Sequence, residues 1–167
     1  ECPVSDIARA IADAGVALPE AVDEEDCTDR DFWLDLAMGA VIGPRLGAKV
    51  PLFVQDYPAS QAALARLRPG PRPLAARFEL YWRGIELANG FHELADAAEQ
   101  RTRFESDQQW RSERGRKVPP IDEHLLAALA AGLPDCSGVA LGLDRLFMLL
   151  EGLSSVAESM AFDASRA

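Results

Sequence analysis

The chain has 167 residues, 49% of them hydrophobic and 26% charged, a globular composition of a length that makes one core. Its 17 basic and 27 acidic residues leave a formal charge of −10, with ten Asp/Glu against two Arg in residues 1–31. A field of that sign repels phosphates and argues against duplex nucleic acid as a partner. No run of about 18 apolar residues is present to span a bilayer, and no signal peptide opens the chain. Cys2, Cys27 and Cys136 are odd in number and lack a C-x-x-C, which points to free thiols in a reducing cytoplasm rather than a disulfide framework or a zinc site. The first residue is Glu1 rather than Met, as expected of a piece of a longer product.

Ile7, Ala8, Ile11, Ala12 and Ala14 fall at helical spacing after Ser5, a candidate N-cap, and Gly15 stops the pattern. The acidic run Asp23 to Asp26 reads as a solvated loop. Asp29 then opens a second periodic stretch through Phe32, Trp33, Leu36, Ala37, Ala40 and Val41, closed by Gly43-Pro44. Pro51 to Val54 reads as a short buried strand, Tyr57-Pro58 as the start of an Ala/Leu-rich helix over Ala59 to Arg68, and Pro69 to Pro73 as a breaker series. In RFELYWRGIELANGFHEL, residues 77–94, Phe78, Leu80 and Trp82 alternate with Arg77, Glu79, Tyr81 and Arg83, the period of a half-buried strand. Arg83-Gly84 supplies a two-residue turn and Ile85 begins the returning strand. Polar helix is expected from Ala95 to Arg116, a further helix from Asp122 to Ala131, and a strand from Ser137 passing into a last helix with Asp144 as candidate N-cap.

With that turn, Glu79 and Glu86 form a diagonal cross-strand pair on one face, about 7 Å apart at the backbone. Two carboxylates so close repel unless a cation or proton lies between them, and hard oxygen ligands favour Mg²⁺. The plainer alternative is a pair of solvent-facing glutamates on an edge hairpin. Asn89, Phe91 and Glu93 share a face that a regular strand turns away from Glu86, but a bulge near Ala88 to Gly90 would bring all four onto one surface. That surface would offer a carboxylate for an ammonium group, an amide and an aromatic wall; alternatively Phe91 is core and Glu93 begins the next helix. Arg145 follows a strand containing Gly138 and Gly142, where a ligand can approach the backbone and a helix start attracts phosphate; an Asp-Arg surface ion pair is the plainer reading.

The stretches FVQDYPASQAALARL, RFELYWRGIELANGFHEL and DCSGVALGLDRLFMLL resemble the C-terminal half of a class II lysyl-tRNA synthetase catalytic domain, and more closely the stand-alone elongation factor P lysine ligase family. The resemblance covers nearly the whole chain and implies an α+β fold, an antiparallel sheet flanked by helices, here incomplete. Residues 1–50 match a helical insertion in general character, and residues 51–167 hold the sheet, its helices and motif 3. The implied activity is ATP-dependent activation of a lysine-type amino acid as its adenylate and transfer to a lysine of elongation factor P rather than to tRNA. Glu79 and Glu86 would then hold the Mg²⁺ that bridges ATP phosphates, Glu93 would grip the substrate ammonium, and Asn89 and Phe91 would shape its pocket. Arg145 would lie over the adenine and on the terminal phosphate, and Gly142 would leave room for the nucleotide.

Such chemistry needs no protein nucleophile, so His92 and His124 are not needed as bases, and His92 is expected to be structural. Ala140 stands where lysyl-tRNA synthetases typically have Gly and the ligase family has Ala, a difference that fits β-lysine over α-lysine. Ala140 and FHEL favour the ligase over the synthetase, whose fragment would charge tRNA; a non-catalytic remnant is a third reading, against which Glu79, Glu86, Glu93 and Arg145 together speak. Motif 1, through which a homodimer would form, and motif 2 are not found, so little or no activity is expected from these 167 residues alone.

Overall fold

The structure is a computed structural model that describes residues 3–17 and 26–163. Cys2, the acidic residues Asp23 to Glu25 and the closing residues 164–167 lie outside the described residues. α1 (Val4–Asp13) starts one residue before the expected cap: Pro3 holds the N-cap position, Ser5 falls inside the first turn, and Gly15 at φ +78° ends the helix. α2 (Arg30–Leu36) begins as the sequence predicts, with the Asp29 carboxylate accepting from the amides of Asp31 at 2.9 Å and Phe32 at 3.4 Å. A wider π turn over Ala37–Ile42 and a tight turn over Gly43–Arg45, which contains Pro44, carry the chain on to Leu46. Ile11, Trp33 and Ala37 form the core under these helices.

β1 (Leu52–Pro58) is longer than expected, and the helix expected over Ala59 to Arg68 does not form. A single turn at Ala59–Gln61 leads instead to β2 (Leu67–Arg68), antiparallel to β3 (Leu74–Trp82) with Leu67 opposite Ala75. The reason is tertiary. Ala65 bridges Glu93, the Arg66 amide donates to the His92 carbonyl at 2.8 Å, and the Ala76 amide donates to the Arg66 carbonyl at 2.9 Å. Strand partners take the backbone groups that a helix would have paired internally, and they override the local Ala/Leu propensity.

β3 turns at Arg83-Gly84 into β4 (Ile85–His92). Arg83 at φ +50° and Gly84 at φ +76° are both left-handed, the signature of the tight hairpin turn whose twist matches the strands. Their amides donate to the carbonyls of Gly47 and Leu46, each at 2.8 Å. α3 (Ala97–Glu113) and α4 (Glu123–Ala131) are capped by the carboxylates of Asp96 and Asp122. β5 (Ser137–Leu141) leads into α5 (Leu143–Glu151), whose N-cap is Gly142; Asp144, the expected cap, lies within its first turn.

The five described strands form an antiparallel sheet in the order β1-β3-β4-β5, with β2 alongside β3, and with the five helices they make the α+β architecture expected. Contacts divide the chain into two compact units, residues 1–55, 78–89 and 140–167, and residues 56–77 and 90–139. In the first, Leu87 packs with Met148 and Leu149 beneath Leu80, Trp82 and Ile85.

Candidate active site

In the first unit, β3 turns its polar alternation inward. Glu79 is 7% exposed and Tyr81 8%, whereas Phe78, Leu80 and Trp82 are only partly covered, the reverse of what apolar alternation suggests. A carboxylate at that depth costs stability unless it is hydrogen-bonded, and the Tyr81 hydroxyl donates to Glu79 Oε2 at 2.7 Å. A pair of solvent-facing glutamates is therefore wrong for Glu79, while Glu86 on β4 is half-buried.

Tyr81 is itself confined by glycines. A Cβ on Gly47, at φ +63°, would run into the Tyr81 carbonyl oxygen and come within 2.8 Å of Trp82 Cα, and one on Gly43 would sit 3.3 Å from the Tyr81 ring. Arg145, in the first turn of α5, donates from Nη1 to the Glu86 carbonyl at 2.8 Å, and the Gly142 amide donates to the Leu87 carbonyl at 2.8 Å. These bonds bring Arg145 and Gly142 to the strand that carries Glu86. A side chain on Gly142 would meet the aliphatic stem of Arg145, 3.4 Å from its Cδ. Asn89 is half-buried and Ala140 exposed in the same unit. Among the described residues no three His, Cys, Asp or Glu side chains gather into a metal-holding group.

In the second unit, Phe91 and Glu93 are half-buried at the end of β4, so Phe91 is not simple core and Glu93 does not begin the next helix, which starts at Ala97. β4 spans Ile85 to His92, with Leu87, Ala88 and Gly90 buried. The backbone of Glu93 is pinned on both sides. Its amide donates to the Cys136 carbonyl at 3.0 Å, its carbonyl accepts from Arg66 Nε at 2.7 Å, and the next amide, Leu94, donates to the Leu64 carbonyl at 2.9 Å. The Arg77 guanidinium stands 4.4 Å over the Tyr57 ring and 5.9 Å from the Phe91 ring, and donates from Nη1 to the Gln61 carbonyl at 3.1 Å.

His92 Nε2 lies 2.6 Å from Asp135 Oδ1, which also takes Arg66 Nη1 at 3.0 Å. The His92 hydrogen bond, then the charges of Arg66 and His92, hold the Asp135 carboxyl below its ordinary pKa. Gly138 is not an open approach for a ligand: the position of its absent side chain is taken by the Glu93 carboxylate.

Tyr81, Arg66 and Arg77 were not singled out from the sequence as site residues. Tyr81 stands two residues from Glu79 on the same strand face, a signal that alternation carries. Arg66 lies 27 positions from Glu93 and its role follows only from the strand pairing that replaced the expected helix.

Residues 20–166 match the family model for tRNA synthetases class II (D, K and N), and the chain belongs to that family. It is 51% identical over 154 residues to an elongation factor P-(R)-beta-lysine ligase of Klebsiella pneumoniae (strain 342), covering 92% of this chain and 47% of that protein. It is likewise 51% identical over 156 residues to proteins of the same name from Salmonella dublin and Salmonella paratyphi A, covering 93% of this chain and 47% of each. The chain thus spans about half the length of the curated relatives it matches.

Proposed function

We propose that this chain forms part of a ligase that activates a lysine-type amino acid, (R)-β-lysine, with ATP and passes it to a lysine side chain of elongation factor P. The observation that carries this reading is the 51% identity, over 92% of the chain, to a ligase named for that reaction. The buried Glu79 carboxylate, held by the Tyr81 hydroxyl, is a side chain that this reading puts to use.

The residues fit a divalent cation, since Mg²⁺ commonly takes only one or two carboxylates and completes its shell with water and phosphate oxygens. Glu79 and Glu86 would hold it, with the Tyr81 hydroxyl fixing Glu79, and the ion would neutralise charge on the ATP phosphates. Arg145 lies over the adenine and on the terminal phosphate, and Gly142 leaves the nucleotide room. Glu93 would receive the side-chain ammonium of the amino acid, and Asn89, Phe91 and Ala140 are the other candidate residues for the amino-acid substrate. The amino-acid carboxylate attacks the α-phosphorus and pyrophosphate leaves; the target amine then attacks the acyl carbon and AMP leaves. The protein contributes position and positive charge where negative charge develops, and no protein nucleophile is required. The partners in this reading are elongation factor P and the amino acid rather than tRNA, in the cytoplasm, with a homodimer formed through elements outside this chain.

ATP-dependent pyrophosphate exchange with α-lysine and with (R)-β-lysine, on the full-length protein, tests the reading. Exchange favouring (R)-β-lysine, followed by transfer to elongation factor P, is the expected result. Exchange with α-lysine alone and charging of tRNA would make it a synthetase, and no exchange with either would make it a remnant.

A further inference from the structure

We propose that Gly138 is a positioning residue for the Glu93 carboxylate: its missing side chain is the space in which the ammonium-binding group rests. This rests on the reading of Glu93 as the group that grips the substrate ammonium.

Gly138 lies in β5 and is not among the glycines with positive φ, so backbone conformation does not demand glycine there. Space does. A Cβ at position 138 would overlap Glu93 Oε1 and lie 3.3 Å from Glu93 Cδ and 3.9 Å from Cγ. These are its three nearest neighbours, and all belong to one flexible side chain.

Gly47 and Gly84 differ in kind. Side chains there would meet backbone atoms, of Tyr81 and Trp82 in one case and of Pro44 in the other, which makes them glycines of folding. At Gly138 the fold can absorb a methyl group by moving the end of Glu93 alone. The Glu93 backbone cannot share the movement, because its amide is held by the Cys136 carbonyl and its carbonyl by Arg66 Nε. The whole displacement must pass into the side-chain torsions, and the carboxylate leaves the place where it would meet an ammonium group. A misplacement of about 1 Å at a positioned group can cost roughly a hundredfold in rate. Gly138 therefore governs substrate binding at little expense to the sheet.

The test is Gly138→Ala in the full-length protein, assayed by pyrophosphate exchange with (R)-β-lysine and α-lysine. The expected result is a KM for the preferred lysine raised by about tenfold or more, consistent with a misplaced binding group. The KM for ATP stays within about twofold and Tm moves by no more than about 2 °C, the shift expected of a surface-sized stability change. Adding Glu93→Asp to Gly138→Ala withdraws the carboxylate from the added methyl, so the double variant recovers part of the loss, although Glu93→Asp alone impairs lysine binding.

An unchanged lysine KM in Gly138→Ala overturns the proposal. So does a parallel rise in the ATP KM with a falling Tm, which is the signature of a structural glycine, or the absence of any recovery in the double variant. Glu93→Gln separates this outcome from failure of the underlying reading. If Glu93→Gln raises the lysine KM and Gly138→Ala does not, only the role of Gly138 falls. If Glu93→Gln leaves the lysine KM unchanged, or the wild type exchanges with neither lysine, both fall together.

Discussion

Glu79 lies on β3 and Glu93 just past the end of β4, and the two carboxylates are fixed by opposite means. Glu79 is buried and held through its head group, by the hydroxyl of Tyr81 two residues along the same strand. Glu93 is half-buried and held through its backbone, by Cys136 and Arg66, while its carboxylate rests in a space that Gly138 leaves. A group that must keep one geometry around a metal gains from burial and a fixed donor. A group that must admit and release a substrate gains from a rigid root and an accessible end. The contrast says where each is vulnerable: Glu79 to loss of its donor, Glu93 to the volume of its neighbours.

The largest effect should come from the exposed end. Removal of one partner of a charge pair with a bound ammonium costs roughly 2–5 kcal/mol, or about 30-fold to several thousandfold in kcat/KM. Glu93→Ala in the full-length protein should therefore abolish lysine-dependent pyrophosphate exchange while ATP still binds, as measured by calorimetry with ATP. Unchanged turnover would remove Glu93 from the site. Gly47→Ala attacks the buried end at one remove. It places a side chain at φ +63° against the backbone of Tyr81 and Trp82, and should cost more than about 3 kcal/mol in urea unfolding. A variant as stable as the wild type would mean that this loop gives way freely.

Tyr81→Phe sharpens the comparison at smaller cost. It deletes only the hydroxyl, so the Glu79 carboxylate loses a hydrogen bond in a buried setting, worth about 1–3 kcal/mol. Thermal melts should fall accordingly, and a magnesium titration of exchange activity should shift to higher concentration. A shift in Tm without any change in the magnesium requirement would leave Glu79 as a structural carboxylate.

Much of this was legible in the chain. The Arg83-Gly84 turn, the helix starts near Asp29 and Asp122, and the passage from β5 into the last helix are local, and local chemistry writes them plainly. The segment Ala59 to Arg68 was misread because its Ala/Leu content favours helix, while the bonds that decide it come from His92, Leu94 and Ala76, far along the sequence. The inward face of β3 was left open for a related reason. Alternation identifies two faces but not which one the fold covers, and here the covered face carries Glu79 and Tyr81. Among the candidate residues, Glu79, Glu86, Asn89, Phe91, Glu93 and Arg145 were marked out by residue type and spacing, and their roles were supplied by the family resemblance. Arg66 and the contact of Gly138 with Glu93 depend on pairings that no spacing reveals.

The smallest expected effect concerns the ion cluster next to Glu93. Asp135 accepts from His92 and faces Arg66, which lowers its pKa below the ordinary 3.8, and Arg66 in turn binds the Glu93 carbonyl. A carboxyl whose pKa is depressed in the folded state contributes its stability fully above the unfolded value, and loses it as pH falls through the folded value. The Asp135 contribution should therefore fade as pH falls below the ordinary carboxyl range. Asp135 is largely exposed, so the effect is small and screened by salt. Melting curves of wild type and Asp135→Asn should differ by a small amount in mild acid and converge below about pH 4. The difference should shrink in high salt. Because Arg66 joins the two, Asp135→Asn should also loosen the root of Glu93, and amide exchange at Glu93 and Leu94 should quicken while that at Tyr81 does not. Equal quickening at all three would mean that the two carboxylates share one support after all.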